Sequence, residues 1–213
     1  QCRSCKGPWR AANRMKDAEC RLPSCVKRRE NMEWLDVVDD QGNPTGETVE
    51  RTKAHQKGIR HRTAHVWLMR EHQGKVEILL QKRSAGKDSH PGCYDISSAG
   101  HIPAGVDWLS SARRELLEEL GLKAEEKEFV YCGQRKIYWK DNFYGKLFVD
   151  NQISNVYCLW RDVEPEQLKL QPEEVEEVCW MSLDDCREAV CKGSIPNCIS
   201  MEELEMLPRT FKY

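Results

Sequence analysis

Glu115, Glu118 and Glu119 stand at i, i+3 and i+4 in the stretch Arg-Glu-Leu-Leu-Glu-Glu-Leu-Gly at 114–121. At roughly 100° per helical residue the three carboxylates fall within an arc of about 100°. Leu109, Ala112, Leu116 and Leu120 share a neighbouring arc that can face a core. Unpaired acids on one face repel one another, at a cost of a few tenths of a kcal/mol per pair, and a divalent cation removes that cost. Hard cations such as Mg²⁺ take carboxylate oxygens and complete their shell with water and substrate phosphate. The solvated face of an ordinary amphipathic helix can show the same three acids, so their surroundings decide between the two readings.

Those surroundings favour chemistry. Gly100 and Gly105 mark a loop ahead of the helix, Asp107 is placed to cap it, and Gly121 stands where a helix end wants positive φ. Arg114 lies beside the acids and can orient one of them. The whole loop–helix–loop of 100–122 resembles the Nudix box, G-x5-E-x7-R-E-U-x-E-E-x-G-U with U aliphatic. Gly100, Arg114, Glu115, Leu116, Glu118, Glu119, Gly121 and Leu122 match it. The first Glu of the box falls on Val106, with Asp107 next door but out of register. In the family that Glu supports the box through an ion pair, while the helix acids are the main metal ligands.

The resemblance implies an α+β fold, an α/β/α sandwich with a mixed β-sheet, over residues 32–213. It implies an enzyme that cleaves the pyrophosphate bond of a nucleoside diphosphate linked to another group. Mg²⁺, or Mn²⁺ in its place, would be held by Glu115, Glu118 and Glu119 with Gly100. Glu118, Glu119 and Arg114 would serve catalysis; the base would be Glu118, Glu119 or a further acid from a distant loop, Glu174 or Glu177, whose run of acids otherwise reads as a solvated loop. Arg83 and His101 are expected at the substrate, with Lys82 a weaker phosphate candidate. Trp139, Tyr144 and Phe148 are aromatic residues able to stack a base, although strand aromatics commonly form cross-strand pairs instead. A homodimer is compatible with the family, and no particular residue points to one.

A finer resemblance runs over about residues 33–190, to the Nudix branch related to isopentenyl-diphosphate isomerase. It is carried by Trp34-Leu35-Asp36-Val37-Val38-Asp39, Gly46, His55, Gly58-Ile59-Arg60-His61-Arg62 and Leu80-Gln81-Lys82-Arg83-Ser84. Pro91-Gly92-Cys93-Tyr94-Asp95, Ser98-Ala99-Gly100-His101 and Glu174-Val175-Glu176-Glu177-Val178-Cys179-Trp180 extend it. The isomerase needs an acid–base Cys just before the box, and that position is Ala99; Cys93 is six residues earlier. The isomerase also builds a metal site from histidines, and His55, His61 and His101 lie near the corresponding places. Without the thiol the proton transfer to carbon has no carrier, so the histidines read as scaffold or substrate contacts and the chain as a hydrolase. The alternatives are the isomerase and a nucleotide-binding Nudix protein without catalysis, for which Val106 is the one box feature.

These residues need a frame. Residues 34–38 alternate like a strand, Gln41-Gly42-Asn43-Pro44 reads as a turn, and 48–51 returns as a second strand. Residues 63–70 and 76–82 are strands joined at Gly74, and 95–99 leads as one short strand into the box loop. Residues 129–138, 143–160 and 178–181 supply further strands, and 183–191 and 201–207 read as helices. Strands around a central helix and late helices make an α+β sandwich.

The 213 residues carry a formal charge of −2, unevenly spread. Residues 1–31 hold nine Lys and Arg against three Asp and Glu, while the rest hold 24 against 32. The acidic body argues against nucleic acid as a partner, and no apolar run approaches membrane-spanning length. Residues 1–31 form a basic, Cys-containing extension. Cys2-x2-Cys5 and Cys20-x4-Cys25 have the makings of a four-cysteine zinc site, set against few aliphatic residues and a loose second spacing. The eleven cysteines are odd in number and scattered, as in a reduced cytoplasmic protein.

Overall fold

The computed structural model describes residues 32–210; the 1–31 extension with its four cysteines lies outside them. Trp34–Val38 (β1) and Pro44–Glu50 (β2) pair antiparallel as a separate small sheet. The chain then forms a helix, Arg51–Lys57 (α1), where the sequence suggested only a strand over 48–51. Its apolar periodicity is nil and its ends define it. The Glu50 carboxylate accepts from the backbone N–H groups of Thr52 and Lys53, and Gly58 closes it at φ 65. A Cβ on Gly58 would lie 2.7 Å from Val149, so a side chain there is excluded on two grounds.

His61–His72 (β3) is the centre of the main sheet. It pairs in parallel with Lys146–Trp160 (β8) and antiparallel with Lys75–Arg83 (β4). Phe129–Phe143 (β7) forms a long hairpin with β8, and Val175–Ser182 (β9) pairs with β4. The single strand expected over 95–99 is two. Tyr94–Asp95 (β5) pairs with β4, whereas Ser98–His101 (β6) pairs with β3. Between them the buried Ser97 hydroxyl accepts from Leu68 N–H at 2.8 Å and donates to the Leu79 carbonyl at 2.6 Å. One side chain thus bridges β3 and β4 where they splay.

Alternation along β3 sorts the layers. Ala64, Val66 and Leu68 face Trp108–Leu120 (α2), burying Ala112, Leu116 and Leu120. Trp67 and Met69 face Leu183–Lys192 (α3) and Met201–Met206 (α4) with Leu183, Cys186 and Leu204. The result is the α/β/α sandwich with a mixed sheet. No described helix is long and apolar enough to cross a membrane.

Candidate active site

The box helix begins at Asp107, whose carboxylate accepts from the N–H groups of Leu109 and Ser110 at 3.0 and 2.9 Å, and ends at Gly121 with φ 68. Its apolar stripe is committed to the sheet, which turns the acids towards the β6 edge. Glu119 is buried and its Oε2 accepts from Ala99 N–H at 3.2 Å. Glu115 lies against Gly100 so closely that a Cβ there would stand 2.0 Å from the carboxyl carbon. Gly100 is therefore a cradle for this carboxylate. Glu118 is the outermost of the three, half exposed. Arg114 reaches Glu115 at 2.6 Å, Glu118 at 3.3 Å and the His101 carbonyl at 3.2 Å, tying both acids to the loop.

Burial pushes the Glu115 carboxyl up to about 7, against the pull of Arg114, and pushes Glu119 up to about 8. Two carboxyl groups withdrawn from water beside a third are able to take up a hard cation, since each is favoured as a carboxylate only when positive charge arrives.

The Val106 departure is answered from outside the box. Asp36 on β1 and Arg62 on β3 form a buried ion pair at 2.8 Å. Arg62 also donates to the Val106 carbonyl at 2.9 Å, and Asp36 accepts from Gly105 N–H at 2.9 Å. The loop that the first box Glu would support is held by this pair.

Other sequence-derived site residues divide. Glu174, just before β9, is ion-paired with Lys87. Lys87 was missed by sequence reasoning, being one lysine in a Gly- and Ser-containing loop. Its charge bears on both Glu119 and His101, and the loop is pinned where its carbonyl accepts from Tyr144 Oη at 3.3 Å. Arg83 is held by protein partners, Asp95 at 2.9 Å and the Ser89 carbonyl at 2.9 Å, and the charge of Glu119 bears on it. Lys82 is occupied by Glu176 and Glu177 on the neighbouring strand.

His101 joins His55 and His61 in a second cluster, with one ligand nitrogen of each within 4.8 Å of the others. His55 Nε2 and His101 Nε2 are 3.0 Å apart, and His61 Nδ1 is hydrogen-bonded to the Ile59 carbonyl at 2.9 Å, leaving the buried His61 Nε2 without a partner. Burial holds His55 down to about 3 and His61 to about 4, and holds His101 well below its ordinary range. Neutral imidazoles with an unpartnered buried nitrogen are the form a transition metal takes. Phe148 stacks on His55 with centroids 4.2 Å apart, and Trp139 stacks on Phe148 with centroids 5.5 Å apart. Phe148 is thus stacked with two protein rings, while Tyr144 is exposed and its hydroxyl donates to the Lys87 carbonyl.

This sandwich with its acid-bearing loop–helix–loop has close counterparts. The NUDIX domain family matches residues 59–195. Nudix hydrolase 3 of Arabidopsis thaliana is 40% identical over 166 residues, covering 75% of this chain and 20% of that protein. The chain therefore spans about a fifth of that relative's length. An uncharacterized Nudix hydrolase of Yersinia pestis is 33% identical over 151 residues, covering 70% of this chain and 73% of that protein. The crystal structure of DR0079 from Deinococcus radiodurans superposes with a TM-score of 0.59 over 82% of this chain and 97% of that one, at 18% identity, which speaks to the fold. The chain belongs to the Nudix family.

Proposed function

We propose that this protein is a divalent-cation-dependent pyrophosphohydrolase. It cleaves the phosphoanhydride of a nucleoside diphosphate linked to a further group, with Mg²⁺ as its ion and Mn²⁺ able to replace it. The observation that carries this reading is the gathering of three carboxylates at the β6 edge: Glu119 buried on the Ala99 N–H, Glu115 seated against Gly100, and Glu118 joined to Glu115 through Arg114. A cation held by Glu115, Glu118, Glu119 and the Gly100 carbonyl would supply charge neutralisation for the diphosphate and acidify the attacking water.

The chain's own groups do the rest. Arg114 keeps Glu115 and Glu118 turned to one side. Lys87, whose charge bears on both Glu119 and His101, is the cation set to meet a phosphate oxygen, while the Arg83 guanidinium is engaged by Asp95 and Ser89. When phosphate takes Lys87, Glu174 loses its partner and becomes free to accept a proton from water. Seven described cysteines carry free thiols, which suits work in the reducing cytoplasm.

The test is product release from dinucleotides, nucleotide sugars, nucleoside triphosphates and isopentenyl diphosphate, with parent, Glu118→Gln and Glu119→Gln side by side. Release that vanishes in Glu119→Gln supports the reading, and no release from any compound overturns it. The three histidines favour a second reading, the isomerase. Against it, Ala99 occupies the position of the proton-carrying thiol and pairs with His65 across β3 and β6. Formation of dimethylallyl diphosphate from isopentenyl diphosphate would establish that second reading.

A further inference from the structure

In front of the three histidines, one face of the main sheet is built from hydrogen-bonding side chains where a core would be apolar. The register places Thr63 and His65 of β3 on it, then Asp150, Gln152 and Ser154 of β8. The same face continues along β3 and β8 into Trp67, Met69, Val156 and Cys158, which are ordinary core. The polar part begins beside His101, which pairs with Thr63, and beside Ala99, whose N–H holds Glu119. It therefore reaches, from the sheet face opposite α2, the same β6 edge that holds Glu119.

These side chains form one line. The Ser154 and Thr63 hydroxyls share a hydrogen bond, and Thr63 Oγ1 donates to Gln152 Oε1 at 3.1 Å. Gln152 Nε2 donates to Asp150 Oδ1, and Asp150 Oδ1 stands 3.6 Å from His55 Nδ1. Gln152 and Asp150, both buried, are the end of the line that meets the histidines. One of the two Nε2 hydrogens of Gln152 is spent on Asp150, which leaves the second for a ligand.

The charge on this face is already balanced. His65 and Arg135 are both engaged by Glu203, and Arg83 by Asp95. Among the described residues no Lys or Arg is ion-paired to Asp150, so a phosphate brought to this end of the line would meet an acid with no cation bound to it. An alkyl tail seated here would leave the second Nε2 hydrogen of Gln152 facing hydrocarbon, at the cost of a buried donor without a partner. What fits is an uncharged group with both donors and acceptors.

We infer that the Thr63–Gln152–Asp150 line is the specificity surface for the uncharged polar part of the substrate, the base or sugar of the nucleoside, and that Gln152 reads it directly. The inference rests on the hydrolase reading for its substrate class, and binding tests it without any need for cleavage. Calorimetry in Mg²⁺ would compare α,β-methylene analogues of the four common ribonucleoside diphosphates with methylenebisphosphonate, which has the same phosphorus skeleton and no nucleoside.

At least one nucleotide analogue is expected to bind more tightly than the bare bisphosphonate. Gln152→Leu is expected to weaken that analogue about tenfold to a hundredfold while leaving the bisphosphonate unchanged. Thr63→Val, which removes the hydroxyl holding Gln152 Oε1, should give a smaller loss of the same selective kind. Equal binding of nucleotide and bisphosphonate by the parent would overturn the inference. So would a Gln152→Leu variant, folded by its thermal melt, that weakens both ligands alike or neither. Selective nucleotide binding without turnover would leave the surface standing and overturn hydrolysis; turnover with no nucleoside selectivity would do the reverse.

Discussion

Gly100→Ala isolates what the box glycine does. An added Cβ would lie 2.0 Å from the Glu115 carboxyl carbon, 2.2 Å from Oε1 and 2.4 Å from Cγ. Ordinary contact begins near 3.4 Å, so the carboxylate must retreat by about 1.4 Å. That retreat breaks its 2.6 Å contact with Arg114. Arg114 is more than a third exposed, so the lost ion pair is worth only about 0.5–1 kcal/mol after screening. Release of a buried carboxyl to water offsets part of it. The melting temperature should therefore move by no more than about 4 °C. Cation affinity should fall much further, about tenfold to a hundredfold, because a displaced ligand no longer closes the site. Calorimetric titration with Mg²⁺ or Mn²⁺, run beside a thermal melt, reads both quantities. In a Glu115→Ala background the same substitution should cost nothing more, since its steric partner has gone. Affinity within twofold of the parent, or a loss matched by unfolding, would refute the cradle; alanine keeps the backbone carbonyl, so the carbonyl's own role is left intact.

The pH dependence of the cation-free protein follows from Glu115 at about 7 and Glu119 at about 8, both raised above 4.5. The folded state then binds more protons than the unfolded one between about 4.5 and 8, so their contribution to stability is complete below 4.5 and is lost as pH rises through 7–8. Melts from pH 5.5 to 8.5 with chelator and with Mg²⁺ should show a cation-induced gain that grows with pH, and a constant gain would contradict the assignment. Glu203 accepts from His65 at 3.0 Å and Trp67 at 2.9 Å and pairs with Arg135; burial alone would raise its carboxyl, and these partners hold it near 2. Glu203→Gln should cost about 3 kcal/mol in urea unfolding, and a loss under about 1 kcal/mol would mean that α4 is held by its apolar contacts alone. Asp36→Asn should cost a similar amount, on the order of 3 kcal/mol, by leaving Arg62 buried without its anion. It should also lower kcat at saturating Mg²⁺; full activity in the folded variant would show that the 105–106 loop needs no such support. Lys87→Ala should raise KM for a diphosphate substrate with little change in melting temperature, and an unchanged KM would remove Lys87 from the phosphate contacts.

The parts of the site that were legible in the sequence are those confined to one helix and its caps. Asp107, the spacing of Glu115, Glu118 and Glu119, and Gly121 obey local geometry, and each stands where that geometry demands. Helix α1 was illegible because nothing periodic marks it; a carboxylate at one end and a left-handed glycine at the other define it. Arg83 looked like a free cation at a strand end because Asp95, which claims it, reaches it only through the β4–β5 pairing. Long-range pairing misled most at Val106. Read along the chain, its missing carboxylate weakens the box. In the fold, an aspartate 70 residues earlier and an arginine 44 residues earlier grip the same loop through Gly105 N–H and the Val106 carbonyl. A loop needs a buried counter-charge and backbone partners, and it is indifferent to which strand supplies them. The departure at Val106 is therefore a poor argument against catalysis here: β1 and β3 supply the loop's support, and the three acids keep their places on the helix.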